Sequence, residues 1–240
     1  MSKIKDTISN SLLINRRTKE KEKKKKFSPQ EQREHTIAWT TYYRRNIHKF
    51  ATEYLGVRLH FFQRCMLYLM SVCSTVVFIM SRGSGKSFIT GLYSICIALL
   101  YPNSEILITS FTLNQASLII KDKIDKELSG DLALSSVLKY LKDTGYMKFK
   151  YDKDKAVCEL SNGSKIFTVV CGEEARGSRS TIVIIDEARL VKKKDVDGII
   201  LKTLRPRVYP ARALNREYEK FDVEPQQIYL SSAKQNWLYI

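Results

Sequence analysis

Residues 75–100 impose the tightest constraint on the fold. Thr75–Met80 is a six-residue run, TVVFIM, of apolar and β-branched side chains, and it reads as a buried strand. Ser81-Arg82-Gly83-Ser84-Gly85 follows, and then Lys86–Leu100, apolar on nearly every face, which reads as a helix packed within the fold. A buried strand, a glycine turn and a buried helix in succession call for a sheet with helices laid across it. The backbone N–H groups of Gly83 to Ser87 then converge at a helix N-terminus, where the peptide dipoles favour an anion. Gly-Lys-Ser in that setting is a phosphate-binding loop. Lys86 sets a point charge on the β- and γ-oxygens of a nucleotide, and the Ser87 hydroxyl ligates Mg²⁺. The usual first glycine of such a loop would fall at Met80. Gly83 supplies backbone freedom inside the loop instead, and Arg82 adds a second cation.

A chance strand-turn-helix can contain Gly-Lys-Ser, so a second feature matters. Ile182-Val183-Ile184-Ile185-Asp186-Glu187 is an apolar run that ends in two acids. Asp186 can hold the water shell of Mg²⁺ and Glu187 can polarise an attacking water. An N-cap at Asp186 would explain one acid but not the tandem. The glutamate beside the aspartate indicates hydrolysis rather than binding alone. No [N/T]-K-x-D guanine-reading motif occurs, which disfavours a GTPase switch and leaves ATP with Mg²⁺ as the expected pair.

Around these motifs the pattern alternates strand and helix. Ser28-Pro29-Gln30-Glu31 has the residues of a helix start, with Ser at the N-cap, Pro at N1 and Glu at N3, and predicts a helix over 29–54. Further helices are predicted over 61–74, 86–100, 113–129, 131–142 and 196–204. Strands are predicted at 75–80, 105–109, 147–151, 156–160, 165–170, 181–185 and 227–230, with Asn162-Gly163 as a hairpin turn. The sum is an α/β P-loop NTPase of the ASCE, RecA-like type, with a mostly parallel central sheet, helices on both faces and a β-hairpin insert. A basic, disordered arm is expected over 1–27, and an ATPase domain over 28–240.

Charge narrows the partners. The net charge of the 240 residues is +16, of which +7 falls in residues 1–26 and +9 in the remainder. The globular part is basic in its own right, which points to polyanions such as nucleic acid or nucleotide. Five cysteines without C-x-x-C spacing read as reduced thiols, and the three histidines cluster with nothing, so no zinc site is expected. The uncharged stretches 65–81 and 87–104 fall short of the roughly 20 apolar residues of a membrane span.

Ser81–Ser87, taken with Arg176-Gly177 and Asp186-Glu187-Ala188, resembles the large terminase subunit of tailed phages, the ATP-driven DNA-packaging motor. That family tolerates a phosphate loop without its first glycine. Phe62-Gln63-Arg64 resembles its adenine-reading motif, and Asn162-Gly163-Ser164 before Lys165-Ile166-Phe167 resembles its hairpin. Ser231-Ser232-Ala233 resembles its coupling motif. The resemblance implies that Gln63 contacts adenine and that Ser231 and Ser232 relay loss of the γ-phosphate. It also implies that strand 227–230 lies between the strands bearing Lys86 and Asp186, and that an arginine acts on a neighbour's ATP. Arg176 is the favoured arginine, with Arg179 and the cluster Arg205, Arg207, Arg212 and Arg216 as competitors. The partners implied are double-stranded DNA, a homo-oligomeric ring on the portal of a prohead, and a small terminase subunit; the place is the host cytoplasm. The family's nuclease domain is not expected, because the chain stops at Ile240, seven residues after Ala233. Asp186-Glu187-Ala188-Arg189 also has the look of a superfamily 2 helicase motif, and a non-catalytic DNA-binding adaptor is a further alternative.

Overall fold

Seven strands form one sheet in a computed structural model that describes residues 28–153, 155–169, 179–206 and 224–233. They are β1 (Thr75–Met80), β2 (Glu105–Thr109), β3 (Met147–Asp152), β4 (Lys155–Leu160), β5 (Lys165–Thr168), β6 (Ile182–Ile185) and β7 (Gln226–Ser232). Their spatial order is β1-β7-β6-β2-β5-β4-β3. The first five of these run parallel, and β4 and β3 are added antiparallel. This is the mostly parallel α/β architecture expected. The β3–β4 hairpin extends the edge of the central sheet itself. The strand late in the chain, β7, is inserted between β1 and β6, the two strands that end in the phosphate loop and the acidic pair, as the resemblance implied.

Two units divide the chain, Met1–Tyr42 and Tyr43–Ile240. Helix α1 (Pro29–Arg45) begins in the first. Its expected capping box is present: the Ser28 amide donates to the Glu31 carboxylate at 2.7 Å, and the Glu31 amide donates to the Ser28 hydroxyl at 3.2 Å.

In the second unit, alternation along the strands sorts side chains onto two faces. Ile106, Ile108, Ile182, Ile184, Ile228 and Leu230 enter the larger core. There they meet helices α2 (Phe61–Val72), α3 (Lys86–Leu100) and α4 (Leu113–Leu118), with its π-helical continuation Ile119–Leu128. Leu107, Val183 and Ile185 enter a smaller core on the other face, closed by Val196 and flanked by Ala188, Val191, Leu201 and Leu204.

Several boundaries differ from expectation, each for a local reason. The helix expected over 29–54 breaks at Asn46, whose carbonyl accepts from the amides of Lys49 and Phe50 and so starts a new turn. The helix expected over 131–142 opens only at α5 (Ser136–Asp143), because the Ser135 hydroxyl accepts from the Leu138 amide and caps it there. The segment expected as helix 196–204 is π-helical over Val196–Ile200 and 3-10 over Leu201–Thr203. β5 stops at Thr168, and the Val169 carbonyl accepts the Thr109 hydroxyl instead of continuing the ladder.

Polar groups fasten the start of β7 to the helices. Tyr93 of α3 is fully buried, and its hydroxyl lies 2.6 Å from Gln226 Oε1 and 2.8 Å from the Met70 carbonyl. Gln226 Nε2 donates in turn to the carbonyls of Met70 and Cys73 at the end of α2. Burial pushes the Tyr93 phenol well above its ordinary pKa, so it stays a donor. Removing that hydroxyl leaves the buried Gln226 Oε1 without its donor, which typically costs about 1–3 kcal/mol. Tyr93→Phe should therefore lower the urea midpoint with an unchanged m-value in equilibrium unfolding.

Candidate active site

The C-terminal ends of β1, β6 and β7 meet at a cleft of about 480 Å³. Open α/β sheets bind ligands at this end of their strands. Arg82, Gly83, Gly85, Lys86, Ser87, Asp186, Glu187 and Ser232 all line it. The phosphate-loop and acidic-pair motifs therefore supply most of the wall.

The loop has the backbone that its glycines permit. Gly85 sits at φ +80 as the N-cap of α3, a conformation that side chains disfavour. A Cβ there would also lie 3.0 Å from Gln63 Nε2. Gln63 is buried behind the loop, with Oε1 accepting from the His60 amide at 3.0 Å. It thus caps α2 and backs the phosphate loop, outside the residues that line the cleft. Ser84 turns its hydroxyl back to the Ser81 carbonyl at 2.8 Å, and Lys86 Nζ donates to that same carbonyl at 3.2 Å.

The two acids occupy different environments. Asp186 extends the β6–β2 ladder through its amide, which donates to the Thr109 carbonyl at 2.9 Å. Its side chain is buried. Burial first, and then the neighbouring Glu187 charge, raise its pKa above the usual carboxylate range; the Glu187 amide, Lys86 and the Ser87 hydroxyl pull it back only in part. Glu187 stands at φ 49, in the left-handed region. Burial pushes its carboxyl up, but the Ser232 hydroxyl and amide, Arg189 and Lys86 outweigh that and hold it below its ordinary value. Ser232 Oγ donates to Glu187 Oε1, and Arg189 Nε donates to Oε2 at 3.2 Å. Ser231, by contrast, is buried beneath the cleft with its hydroxyl unpartnered. Arg176, Arg207, Arg212 and Arg216 lie outside the described residues; Arg179 and Arg205 are exposed.

A buried carboxylate beside a hydroxyl is the donor set that Mg²⁺ uses when phosphate oxygens and water complete its shell. Ser87 and Asp186 form that set on one wall of the cleft, where the hydroxyl helps to stabilise the ionised carboxylate. Among the described residues no group of three His, Cys, Asp or Glu side chains could hold a metal ion unaided.

Residues 55–214 match the family described as terminase large subunit, ATPase domain. The chain belongs to that family. A search of curated proteins returns no match. Among solved structures, the ATPase domain of the Thermus phage P74-26 large terminase is similar, with a TM-score of 0.51 and 17% identity, covering 78% of this chain and 70% of that one. An arginine-to-alanine mutant of the same domain gives a TM-score of 0.53 at 17% identity, covering 78% and 71%. The HK97 bacteriophage large terminase matches with a TM-score of 0.44 and 14% identity, over 73% of this chain and 33% of that one. The fold is thus that of the terminase ATPase domains, the RecA-like P-loop type.

Some lining residues of this terminase ATPase domain escaped the sequence reading. Lys123 borders the cleft. Gln115 and Asp122 border an adjoining recess of about 320 Å³ that shares Ser87, Lys123, Asp186 and Glu187 with it. Their one signal was position. Lys123 follows Ile119 by four residues and Ile120 by three, so it flanks the buried stripe of its helix. Arg189 was visible only as part of an acidic-pair motif. Elsewhere, a cavity of about 350 Å³ at the opposite ends of the strands, lined by Ser74, Tyr93 and Gln226, holds no comparable pairing of acid and base. Among the described residues no helix is long and apolar enough to cross a membrane.

The raised pKa of Asp186 has a consequence for stability. An acid whose folded-state pKa lies above its unfolded value weakens the fold when ionised; the penalty is full above the folded pKa, shrinks as pH falls through it and is gone below the unfolded value. Asp186→Asn keeps an acceptor for the Glu187 amide and removes the buried charge. The metal-free variant should melt higher than the parent at pH 7, and the gain should shrink on acidification as the native carboxyl takes up its proton. Thermal melts across the acid range check both statements.

Proposed function

We propose that this terminase ATPase domain hydrolyses ATP with Mg²⁺ and uses the reaction to translocate double-stranded viral DNA into a prohead. The observation that carries the reading is the convergence of Lys86, Ser87, Asp186 and Glu187 on one cleft, in a chain of the terminase family. The amides of the loop and the Lys86 ammonium would cradle the β- and γ-phosphates, with Arg82 beside them. Mg²⁺, held by Ser87 and Asp186, would offset charge on the β- and γ-oxygens. Glu187, kept ionised by Ser232 and Arg189, orients a water. The water oxygen attacks the γ-phosphorus, the bond from that phosphorus to the bridging oxygen breaks with its electron pair leaving on ADP, and the water's proton passes to Glu187.

Finer roles follow the same reading. Gln63 would contact adenine. Ser231 and Ser232 would relay loss of the γ-phosphate, because Ser232 already holds the glutamate. Arg176 would reach a neighbour's ATP in a homo-oligomeric ring on the portal, with Arg179 and Arg205 as the described alternatives. A small terminase subunit and the host cytoplasm complete the proposal. The family match favours this motor over a superfamily 2 helicase or a DNA-binding adaptor with a vestigial pocket.

A paired substitution tests the chemistry. Lys86→Ala should weaken ATP binding in a nucleotide titration. Glu187→Gln should bind ATP normally and lose at least about 100-fold in turnover, the lower range for a positioned acid–base group. Wild-type affinity in the first, or wild-type turnover in the second, overturns the assignment.

DNA binding should be electrostatic and indifferent to sequence, since +9 remains outside residues 1–26. Affinity for two unrelated duplexes should fall together with salt, by about 0.9 log units per log unit of salt for each phosphate neutralised. A marked preference for one duplex would count against a translocase.

A further inference from the structure

Lys123 reaches the candidate ATP site from an element that no phosphate-loop or acidic-pair motif includes. It is carried by the π-helical stretch Ile119–Leu128. Four residues line both the main cleft and the adjoining recess: Ser87, Lys123, Asp186 and Glu187. Lys123 therefore borders the acidic-pair end of the site, beyond the loop amides that would take the β-phosphate.

The packing that brings it there is specific. Gly91 lies in α3, five residues after Lys86. A Cβ on Gly91 would come within 3.2 Å of both Lys123 Cβ and Ile124 Cγ1, and 3.7 Å of the Ile119 carbonyl. The bare glycine lets the two helices approach until the stem of Lys123 lies against the helix that begins at the phosphate loop. The Lys123 ammonium is paired with Glu127, one turn further along, and about a third of the Lys123 side chain remains exposed. Such i,i+4 pairs at a half-exposed surface are weak, so the ammonium can leave its partner at small cost. A triphosphate end placed beside Asp186 and Glu187 presents concentrated negative charge, which a flexible lysine meets as a point charge.

We propose that Lys123 contacts the γ-phosphate of bound ATP, exchanging Glu127 for a phosphate oxygen, and returns to Glu127 once the phosphate is lost. The proposal rests on the reading of the cleft as an ATP site. It makes Lys123 a residue that distinguishes ATP from ADP, because only ATP carries the group it would touch.

The test is equilibrium titration with ADP and with a non-hydrolysable ATP analogue in Mg²⁺, on the full chain. Lys123→Ala should weaken the analogue by about 10-fold or more, the scale of one lost hydrogen bond to a charged group. ADP affinity should stay within about 2-fold, which also shows that the variant is folded. Lys123→Arg should retain most of the preference for the analogue. Equal weakening of both nucleotides, or no change in either, overturns the role of Lys123. Lys86→Ala run alongside separates the two levels: if it binds both nucleotides as the parent does, the ATP-site reading itself has failed, and the proposal with it.

Discussion

The parallel pairing of β7 between β1 and β6 is the constraint on which the site depends. Met80 lies opposite Ser232 and Ile185 opposite Tyr229. The Ala233 amide then donates to the Met80 carbonyl at 2.8 Å. In this register Ser232 meets Glu187 and Ser231 turns into the interior. A slip of one residue would exchange the two serines, because successive side chains on a strand face opposite ways. The register is secured at the far end, where Gln226 is hydrogen-bonded to Tyr93 and to the end of α2. An anchor at one end of β7 thus decides which hydroxyl holds the glutamate at the other.

That geometry gives two adjacent carboxylates different characters. Asp186 continues a buried strand, so desolvation dominates and its pKa rises. Glu187 leaves the strand in a left-handed conformation, which costs a non-glycine residue roughly 1–2 kcal/mol. Its amide donates to Asp186 Oδ1 at 3.0 Å, and its carboxylate gathers Ser232 and Arg189. These bonds offset the backbone cost and keep the group ionised. Divergent environments for neighbouring acids are how one site separates a cation-holding role from a water-orienting one.

Much of this was legible in the residues. β1, α3 and β2 were read to their terminal residues, because each is an apolar block bounded by Gly, Pro or polar punctuation. The motif residues of the loop and the acidic pair were legible for the same reason: their chemistry depends on short spacing. What stayed hidden depended on which of several possible local caps forms and on tertiary contacts. The 131–142 segment looked helical, yet Leu132 remains 95% exposed and the helix waits for the cap at Ser135. Gln63 was read as an adenine contact; its local bond to the His60 amide lies within one turn, while its place behind Gly85 could not be seen along the chain. Nothing along the chain singled out Lys123, because the sequence does not show how closely Gly91 lets the two helices approach.

The distribution of unfavourable features across the sheet carries a last step of the argument. At the starting ends of the strands the buried polar groups are satisfied: Tyr93 and Gln226 bond each other and the end of α2, while Ser104 and Ser164 both donate to the Tyr101 carbonyl. At the other ends sit a desolvated carboxylate, a glutamate at positive φ and a buried serine hydroxyl without a partner. Each costs free energy in the absence of bound nucleotide, and all three lie within a few residues of the cleft. A sheet selected for stability alone would have no reason to gather them there. The proposed uptake of a cation beside Asp186 accounts for the clustering, because a cation would offset the buried charge. Ser231 and Ser232 sit on the same strand as Gln226, which is bonded to Tyr93 of α3. The strand that completes the site is therefore also bonded, at its other end, to the helix that begins at the phosphate loop.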